Sequence, residues 1–292
     1  MRRIKNSVKK RFGKYLDYLT EFPLKPMDLQ TCFSVDKPFV SSNRIPEVVY
    51  QTWDFNEFGK NHLKSLRDFQ LLNLDLKFCL ILASDRDEYM KKRWSEHKIF
   101  DIYKGAVLGP MKVDIFRYCL LFERGGYYFD INKSVSVPLK NLHSEDAAGM
   151  VCFEPGSHRI LPNQSILHRV AHPDRFVAQW GFAFEKNSPV LKTVIENICS
   201  YAHYFANRNF ERPKNAILQL TGPGIFTKSF WTALEENPKL QIDQAGINFN
   251  GHGDRNILGS HVRYLTVPNY DQTRKSRILE LKEKNINHVE SG

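Results

Sequence analysis

The fold is decided by residues 113–132, which read VDIFRYCLLFERGGYYFDIN. The pattern predicts a helix over residues 110–124, which has a proline at its start and is ended by Gly125 and Gly126. An apolar and aromatic run over residues 127–131 then predicts a buried strand. A helix that a glycine pair turns directly into a buried strand indicates an α/β fold.

Runs typical of strands and of helices alternate along the rest of the chain. The strand-like runs are residues 48–52, 76–82, 134–137, 149–153 and 179–184, and the helix-like runs are residues 85–97, 189–205 and 226–236. We therefore expect a Rossmann-like mixed sheet that binds a nucleotide and is flanked by helices. This domain is predicted to span residues 45–270, after a basic helix at 1–19 and a connecting segment at 20–44. Residues 271–292 are predicted to form a charged, peripheral tail.

Composition excludes several classes of protein. The chain has 292 residues, of which 42% are hydrophobic, and it holds no apolar run of the ~18 residues that a membrane-spanning helix requires. Its first residues are basic but lack a continuous apolar core, so we do not expect a cleavable signal peptide. The five cysteines are far apart and form no CxxC pair, which argues against a zinc knuckle or a disulfide framework.

The net charge of +10 is concentrated at the N-terminus. Residues 1–14 carry seven basic side chains and no acidic one. One face of the same segment is apolar, through Ile4, Val8, Phe12, Tyr15 and Leu19. A basic amphipathic helix is typical of an anchor on an anionic membrane surface. A solvated terminal helix packed on its own domain is the alternative, and nucleic-acid binding is disfavoured because no second basic run or zinc-finger pattern occurs.

Charged side chains in the central stretch are spaced as a binding site requires. Asp114 and Arg117 are three residues apart and share one helix face. At the end of the strand, the side chains of Asp130 and Asn132 are expected to project to one face, and the side chain of Lys133 to the opposite face. Open α/β sheets bind nucleotides at strand ends, and two oxygen ligands can hold a divalent cation that bridges a diphosphate. A surface ion pair and a turn-capping aspartate are the plainer interpretations of these residues.

Taken together, these pieces resemble glycosyltransferase family 32, the DXD-containing sugar transferases. The matching segments are Ile45-Pro46 leading to Gln51-Thr52-Trp53, then Asp114-x-x-Arg117-Tyr118, then Gly125-Gly126-Tyr127-x-x-Asp130-x-Asn132. The resemblance implies a GT-A fold. It also implies that a hexose is transferred from a UDP- or GDP-linked sugar to a saccharide acceptor, with retention of anomeric configuration.

The resemblance also assigns roles to individual residues. It implies that the donor is bound by Gln51, Thr52, Trp53, Asp114, Arg117 and Tyr127. The resemblance implies that Asp130 contacts both the donor and the metal. It also implies that Asp130 and Gln179 are catalytic, with Gln179 beneath the donor sugar. Glu154 and His158 are candidates for the acceptor side, although ordinary polar loop residues are the alternative there.

Asn132 departs from the family pattern, because the second aspartate of the DXD motif usually stands at this position. Asparagine keeps an oxygen ligand and loses the negative charge, and metal affinity depends on ligand charge. Three alternatives remain open: a weaker Mn²⁺ or Mg²⁺ site, a metal-independent enzyme that neutralises the diphosphate with Lys or Arg, and a non-catalytic sugar-nucleotide- or glycan-binding relative. The candidates for a further metal ligand are His252, Asp254 and His261.

The sequence therefore predicts a retaining hexosyltransferase of a bacterial type that builds a surface polysaccharide such as O-antigen, capsule or lipopolysaccharide. Its expected partners are a nucleotide sugar, a saccharide or lipid-linked saccharide acceptor and an anionic membrane surface bound through residues 1–19. We expect it to be cytoplasmic and peripheral at the inner face of the membrane, and not to bind nucleic acid.

Overall fold

The centre of the protein is a six-stranded mixed sheet. The computed structural model describes residues 19–27, 33–155, 175–254, 256–260 and 273–282. The strands are β1 (Val48–Thr52), β2 (Lys77–Ile81), β3 (Gly126–Phe129), β4 (Ser134–Val135), β5 (Gly149–Phe153), β6 (Val177–Phe184), β7 (Asn209–Phe210), β8 (Ile242–Ile247), β9 (Gly253–Asp254) and β10 (Ser276–Arg277). The main sheet has the order β2-β1-β3-β6-β5-β8, and two small sheets pair β4 with β9 and β7 with β10.

Helices flank the sheet. They are α1 (Lys60–Leu71), α2 (Ala83–Trp94), α3 (Lys98–Gly105), α4 (Gly109–Arg124), α5 (Pro189–Tyr201), α6 (Pro213–Leu220) and α7 (Pro223–Glu236), with 3₁₀ turns at Leu139–Leu142 and Ala202–Tyr204. Among the residues that the structure describes, no helix combines the length and the apolar character needed to cross a membrane. The predicted α/β fold with a mixed sheet between helices is confirmed.

Strand direction brings the ends of several strands to one edge of the sheet. Strands β1, β2 and β3 are parallel, whereas β6 is antiparallel to β3 on one side and to β5 on the other. Because β6 runs the other way, its first residues lie beside the last residues of β3. The backbone N–H of Asp130 donates to the Trp180 carbonyl at 2.8 Å, which fixes this junction. The start of β6 and the ends of β1, β3 and β5 therefore share an edge.

The glycine pair joins α4 to β3, as the sequence predicts. Gly125 has φ 66° and Gly126 has φ 104°, both in the region that favours glycine. A Cβ atom on Gly126 would stand 2.9 Å from both the Cγ1 and the carbonyl oxygen of Val48. The close approach of this turn to β1 therefore requires glycine.

Strand β3 ends earlier than the sequence predicts. Its last residue is Phe129, and the backbone N–H of Lys133 donates to the Asp130 carbonyl at 2.9 Å, which closes a turn. Strand alternation does not extend through a turn. Lys133 consequently lines the same cavity as Asp130 and Asn132, so its predicted placement on the opposite face is wrong.

The C-terminal segment is less peripheral than expected. Strand β10 pairs with β7, and the following Ile278 and Leu279 are fully buried. The Leu279 carbonyl accepts from the backbone N–H of Asn207, and the Ile278 carbonyl accepts from that of Val107. Two apolar residues inside a charged segment, Ile278 and Leu279, are thus part of the core. The predicted anchor helix lies outside the described residues except for Leu19.

Candidate active site

A cavity of about 500 Å³ opens at the edge where these strand ends meet. This volume is within the range of small-molecule sites. The charged and polar residues that line it, together with two tryptophans, are Thr52, Trp53, Asp54, Arg86, Asp114, Arg117, Tyr128, Asp130, Asn132, Lys133, Glu154, Gln179, Trp180 and Lys214. The cavity therefore collects side chains from α4, from the turn after β3 and from the start of β6.

Arg117 is the centre of a buried ionic network. Its Nη2 atom lies 2.7 Å from Asp114 Oδ1, and its Nη1 atom lies 3.1 Å from Asp130 Oδ1 and 3.0 Å from the Gln179 carbonyl oxygen. The guanidinium also lies over the Tyr128 ring, 4.6 Å from its centroid. The Arg117 side chain is 6% exposed and that of Asp130 is 30% exposed. Arg117 thus fixes α4, β3 and β6 relative to one another, and Asp130 still reaches the cavity.

Asp114 is the most enclosed carboxylate of the site. Its Oδ2 atom accepts from the Thr221 hydroxyl at 3.0 Å, while Oδ1 faces Arg117. Burial raises the pKa of the Asp114 carboxyl to about 7, although Arg117 and Thr221 act in the opposite direction. A carboxylate fixed at both oxygens and bordering a cavity is a rigid acceptor for a ligand hydroxyl.

The side-chain amide of Gln179 has a defined orientation. Its Nε2 atom donates to the Tyr118 hydroxyl at 2.5 Å and to the Thr221 carbonyl at 2.9 Å. A backbone carbonyl can only accept, so the NH₂ group, and not the carbonyl, must face Thr221. The amide oxygen of Gln179 is consequently turned away from these two partners.

Asp130 and Asn132 are the residues that could hold a divalent cation, since both line the cavity. Within the described part of the chain, no group of three His, Cys, Asp or Glu side chains is arranged to hold a metal ion. Mg²⁺-type sites often use one or two protein oxygens together with the phosphates of the substrate. The carboxylate and the amide therefore fit a cation that is bound jointly with a phosphorylated ligand.

The chain also matches a family model and several curated proteins. The model described as "Glycosyltransferase sugar-binding region containing DXD motif" matches residues 57–148, which include α4, β3 and Asp130. Residues 57–148 of the chain are thus similar to the sugar-binding region of DXD-containing glycosyltransferases.

Three similar proteins are fungal, each with the name "Initiation-specific alpha-1,6-mannosyltransferase". That of Candida albicans is 27% identical over 68% of this chain and 56% of its own length. That of Saccharomyces cerevisiae is 24% identical over 55% of this chain and 40% of its own length. That of Schizosaccharomyces pombe is 24% identical over 63% of this chain and 47% of its own length. The chain thus spans about half the length of the curated relatives it matches.

A solved structure, the PaToxG glycosyltransferase, is also similar to the chain. It superimposes with a TM-score of 0.44 and 16% sequence identity, and it covers 80% of this chain and 78% of its own.

The structure brings together most of the residues that the sequence assigns to the family's site. Those that line the cavity are Thr52, Trp53, Asp114, Arg117, Asp130, Asn132, Glu154 and Gln179. Their individual roles in binding and catalysis stay predictions.

Gln51 and Tyr127 are not among the cavity residues. Gln51 is 2% exposed and precedes Thr52, so strand alternation turns it to the opposite face. The Tyr127 hydroxyl is paired with His143 Nε2 at 2.6 Å on that same face. Tyr128 lies two residues before Asp130, so its side chain is on the same face of the sheet. Tyr128 therefore lines the cavity in place of Tyr127.

The other candidates for a metal ligand lie away from the cavity or outside the described residues. His252 and Asp254 are exposed around β9, where His252 Nδ1 is 3.2 Å from the Ser136 hydroxyl. Neither residue lines the cavity. His261 and the acceptor-side candidate His158 lie outside the residues that the structure describes.

Sequence reasoning missed several residues of the site. Arg86 and Lys214 line the cavity, while Tyr118 and Thr221 support it from behind. Tyr128 could have been found from strand alternation with Asp130. Tyr118 directly follows Arg117 in a segment that resembles the family, and Thr221 belongs to Thr221-Gly222-Pro223, a weaker match to the family, but the sequence assigns a role to neither. Arg86 and Lys214 come from separate helices, and no spacing in the sequence connects them to the DXD segment.

Proposed function

We propose that this protein transfers a hexose from a nucleotide sugar to a hydroxyl of a saccharide acceptor, with retention of anomeric configuration. The observation that carries this proposal is the Arg117 network, which joins Asp114, Asp130 and Gln179 at one cavity. Ligands of open α/β sheets bind at such strand ends. A sugar-binding carboxylate, a candidate cation site and a fixed amide thus border one space of suitable size.

The fungal relatives are the support for a particular hexose. Their names state that they are mannosyltransferases, so mannose is the first sugar to test, linked to either GDP or UDP. Because those relatives are fungal, the bacterial surface polysaccharide that the sequence predicts as the acceptor stays a prediction.

The site supports a simple sequence of chemical events. The bond between C1 of the sugar and the diphosphate breaks, a bond between C1 and the acceptor oxygen forms, and the acceptor proton passes to an oxygen of the departing diphosphate. Asp114 and Arg117 orient the sugar hydroxyls, and the amide oxygen of Gln179 is available to the electron-poor sugar ring. Retention requires either a nucleophile or attack from the leaving-group face. A cation at Asp130 and Asn132 would supply positive charge against the departing diphosphate.

Binding without catalysis is the second candidate function, and Asn132 is the observation that favours it. Without the second carboxylate, a cation at this position is held by less negative charge. Such a protein would bind a nucleotide sugar and release it unchanged. Turnover separates the two functions.

The proposed function is tested by incubating the protein with UDP- and GDP-linked hexoses, with and without Mn²⁺, and measuring released nucleoside diphosphate. We expect release with at least one donor, and NMR of the product should show the anomer of the donor. Asp130→Ala should lose activity by about 100-fold or more with the fold intact, because it removes a group placed to act at the charge-forming step.

Asp254→Ala is the matched control, since Asp254 is an exposed carboxylate outside the cavity. It should retain wild-type activity. Binding of a donor with no turnover would favour the second candidate function. Absence of both turnover and a thermal shift with every donor would exclude the two functions together.

We also propose that the protein works at the inner face of a membrane, held there by residues 1–19. Seven basic residues within residues 1–14 support this location, because each contributes about 1 kcal/mol near an anionic surface. Deleting residues 1–19 should release the protein from vesicles that contain anionic lipid. Unchanged sedimentation of the truncated protein with those vesicles would contradict the proposal.

A further inference from the structure

Arg86 is a buried cation at the cavity that the roles described above leave unused. It lies on α2, is 4% exposed and lines the cavity beside Thr52. Its Nη1 atom lies 3.3 Å from the Thr52 hydroxyl, and its Nε atom lies 3.4 Å from the Tyr103 hydroxyl. Both partners are neutral oxygens at long hydrogen-bond distance.

The other buried arginines have stronger partners. Arg117 faces two carboxylates. Arg124 donates to the backbone carbonyls of Ser34 and Val35 at 2.7 and 2.5 Å. In the part of the chain that the structure describes, Arg86 has neither a carboxylate partner nor a short contact with a carbonyl, since its two hydrogen bonds are 3.3 and 3.4 Å long.

A buried charge without a counter-charge is unfavourable by several kcal/mol. A ligand that carries the opposite charge can offset this cost. The guanidinium stands at the cavity, so an anion that enters the cavity can reach it. The position of Arg86 thus indicates that the cavity binds an anion at its β1 side.

We propose that Arg86 binds the diphosphate of the nucleotide-sugar donor, an inference that rests on the proposed function. Thr52 and Trp53, which the family resemblance assigns to the nucleoside, lie on the same side of the cavity. A guanidinium presents a planar fork of donors that matches phosphate oxygens and keeps its charge at every physiological pH.

Arg86 also offsets the charge that Asn132 lacks. In a two-carboxylate motif the cation is held tightly and neutralises the diphosphate. Here one ligand is neutral, and Arg117 is already neutralised by Asp114 and Asp130. Arg86 then supplies a fixed positive charge to the diphosphate as its bond to the sugar breaks.

The experiment compares the wild type with Arg86→Gln and Arg86→Lys by calorimetric titration, with Mn²⁺ and with EDTA. The probes are inorganic pyrophosphate, UDP, GDP, uridine and guanosine. Arg86→Gln should weaken binding of the diphosphates by about tenfold or more, since hydrogen bonds to charged groups are strong. Nucleoside binding should be unchanged, and Arg86→Lys should fall between the two.

Arg93→Gln is the matched control from the same helix. Arg93 is 45% exposed and pairs with Glu123, so its loss should leave every probe unaffected. Equal losses for nucleosides and diphosphates, or no loss for diphosphates, would overturn the proposal. So would a wild type that binds neither pyrophosphate nor any nucleoside diphosphate.

Thermal unfolding provides a readout that a purely structural arginine would not give. Without ligand, Arg86→Gln should unfold at the wild-type temperature or above it, because an unpaired buried charge has been removed. The rise in Tm that pyrophosphate gives the wild type should disappear. A lower Tm of the free variant with an unchanged pyrophosphate effect would mean that Arg86 serves only the fold. Should Arg86→Gln fail to fold, the titration of Arg86→Lys decides.

This test is separate from the test of the proposed function. If nucleoside diphosphates bind through Arg86 but no sugar is transferred, the transfer function fails and the diphosphate contact stands. If Arg86→Gln turns over donor as well as the wild type does, with equal KM, the diphosphate contact fails and the function stands.

Discussion

Two arginines that line one cavity are buried to a similar degree but differ in what surrounds them. Arg117 is 5% exposed and is neutralised by Asp114 and Asp130. Arg86 is 4% exposed and, within the described part of the chain, forms hydrogen bonds with the hydroxyls of Thr52 and Tyr103 and no ion pair. The first arginine belongs to a complete ionic network, whereas the second has room for a further partner.

The difference separates a scaffold from a ligand contact. An arginine whose charges are matched within the protein holds the site in shape before any substrate arrives. An arginine that lacks an anionic partner gains most of its electrostatic stabilisation from a ligand. Removing the first should therefore reduce stability, and removing the second should reduce binding.

The largest expected effect is on stability, in Arg117→Leu. This change leaves the Asp114 carboxylate buried and without its cation, which lowers the free energy of unfolding by about 3–5 kcal/mol. Denaturant unfolding measures the loss, with Arg86→Gln as the comparison expected to show none. Equal stability of the two variants would break the distinction between the arginines.

A change of metal affinity is expected for Asn132→Asp. The substitution adds a negative charge beside Asp130 and should tighten Mn²⁺ binding in the presence of a nucleoside diphosphate by about tenfold. It should also make activity less dependent on Arg86, because the cation then neutralises more of the diphosphate. Titration of Mn²⁺ measures the affinity.

Asn256→Asp is the control for that change, since Asn256 is exposed and lies outside the cavity. It adds the same charge without adding a ligand. Unchanged Mn²⁺ affinity in Asn132→Asp, or an equal gain in Asn256→Asp, would rule out a cation at Asn132.

The network on the Arg117 side predicts a kinetic effect for Tyr118→Phe. The change removes the hydroxyl that accepts from Gln179 Nε2, so the amide loses one of the contacts that fix its orientation, while the contact with the Thr221 carbonyl stays. We expect kcat to fall by about tenfold with KM nearly constant, since Tyr118 acts through Gln179 on the reacting sugar. Steady-state kinetics of donor turnover measure both constants.

Tyr204→Phe provides the control, because Tyr204 is 41% exposed and does not line the cavity. It should leave both constants unchanged. A Tyr118→Phe enzyme that is less stable but has wild-type kcat would show that the hydroxyl serves folding and not the orientation of Gln179.

The smallest expected effect concerns a titratable group away from the cavity. His97 Nδ1 accepts from the backbone N–H of Ile99 at 3.1 Å and caps α3. Burial lowers the pKa of His97 from its usual 6.5. The capping contribution is therefore complete above pH 6.5 and is lost as the pH falls through the lowered pKa, by about 1 kcal/mol or less.

His97→Asn keeps a capping group that does not titrate, so its stability should vary less with pH over that range. Unfolding at pH 5 and pH 8 measures the difference. Diphosphate binding through Arg86 should be the same in both proteins. A shift in binding would connect α3 to the cavity and weaken the assignment of the anion site to Arg86 alone.

Local patterns in the sequence were enough to find the Arg117 side of the site. Helical spacing pairs Asp114 with Arg117, and the position of Asp130 and Asn132 just after a buried strand predicts that they lie at a strand end. The structure confirms that all four line one cavity, although Asp130 and Asn132 follow the strand and lie in a turn. Tyr127 was assigned from the family resemblance against strand alternation, and the structure turns it away. Lys133 was misplaced because the strand ends at Phe129 and not at Ile131.

The Arg86 side could not be predicted, for a different physical reason. A helical arginine in a charged stretch is normally solvated, and only the fold shows that this one is buried and has no carboxylate partner among the residues that the structure describes. The C-terminal segment follows the same rule. Ile278 and Leu279 are two apolar residues among charged ones, and their burial depends on docking against Ala106 and Ala206, which are distant in sequence.

The central claim is that the cavity at the ends of β1 and β3 binds a nucleotide-sugar donor. A crystal structure of the wild type with Mn²⁺ and UDP or GDP tests it most directly. The account predicts phosphate oxygens within about 3.5 Å of the Arg86 guanidinium and a cation between the diphosphate and the pair Asp130 and Asn132. A nucleotide bound elsewhere, for example on the opposite face beside Tyr127 and His143, would contradict it.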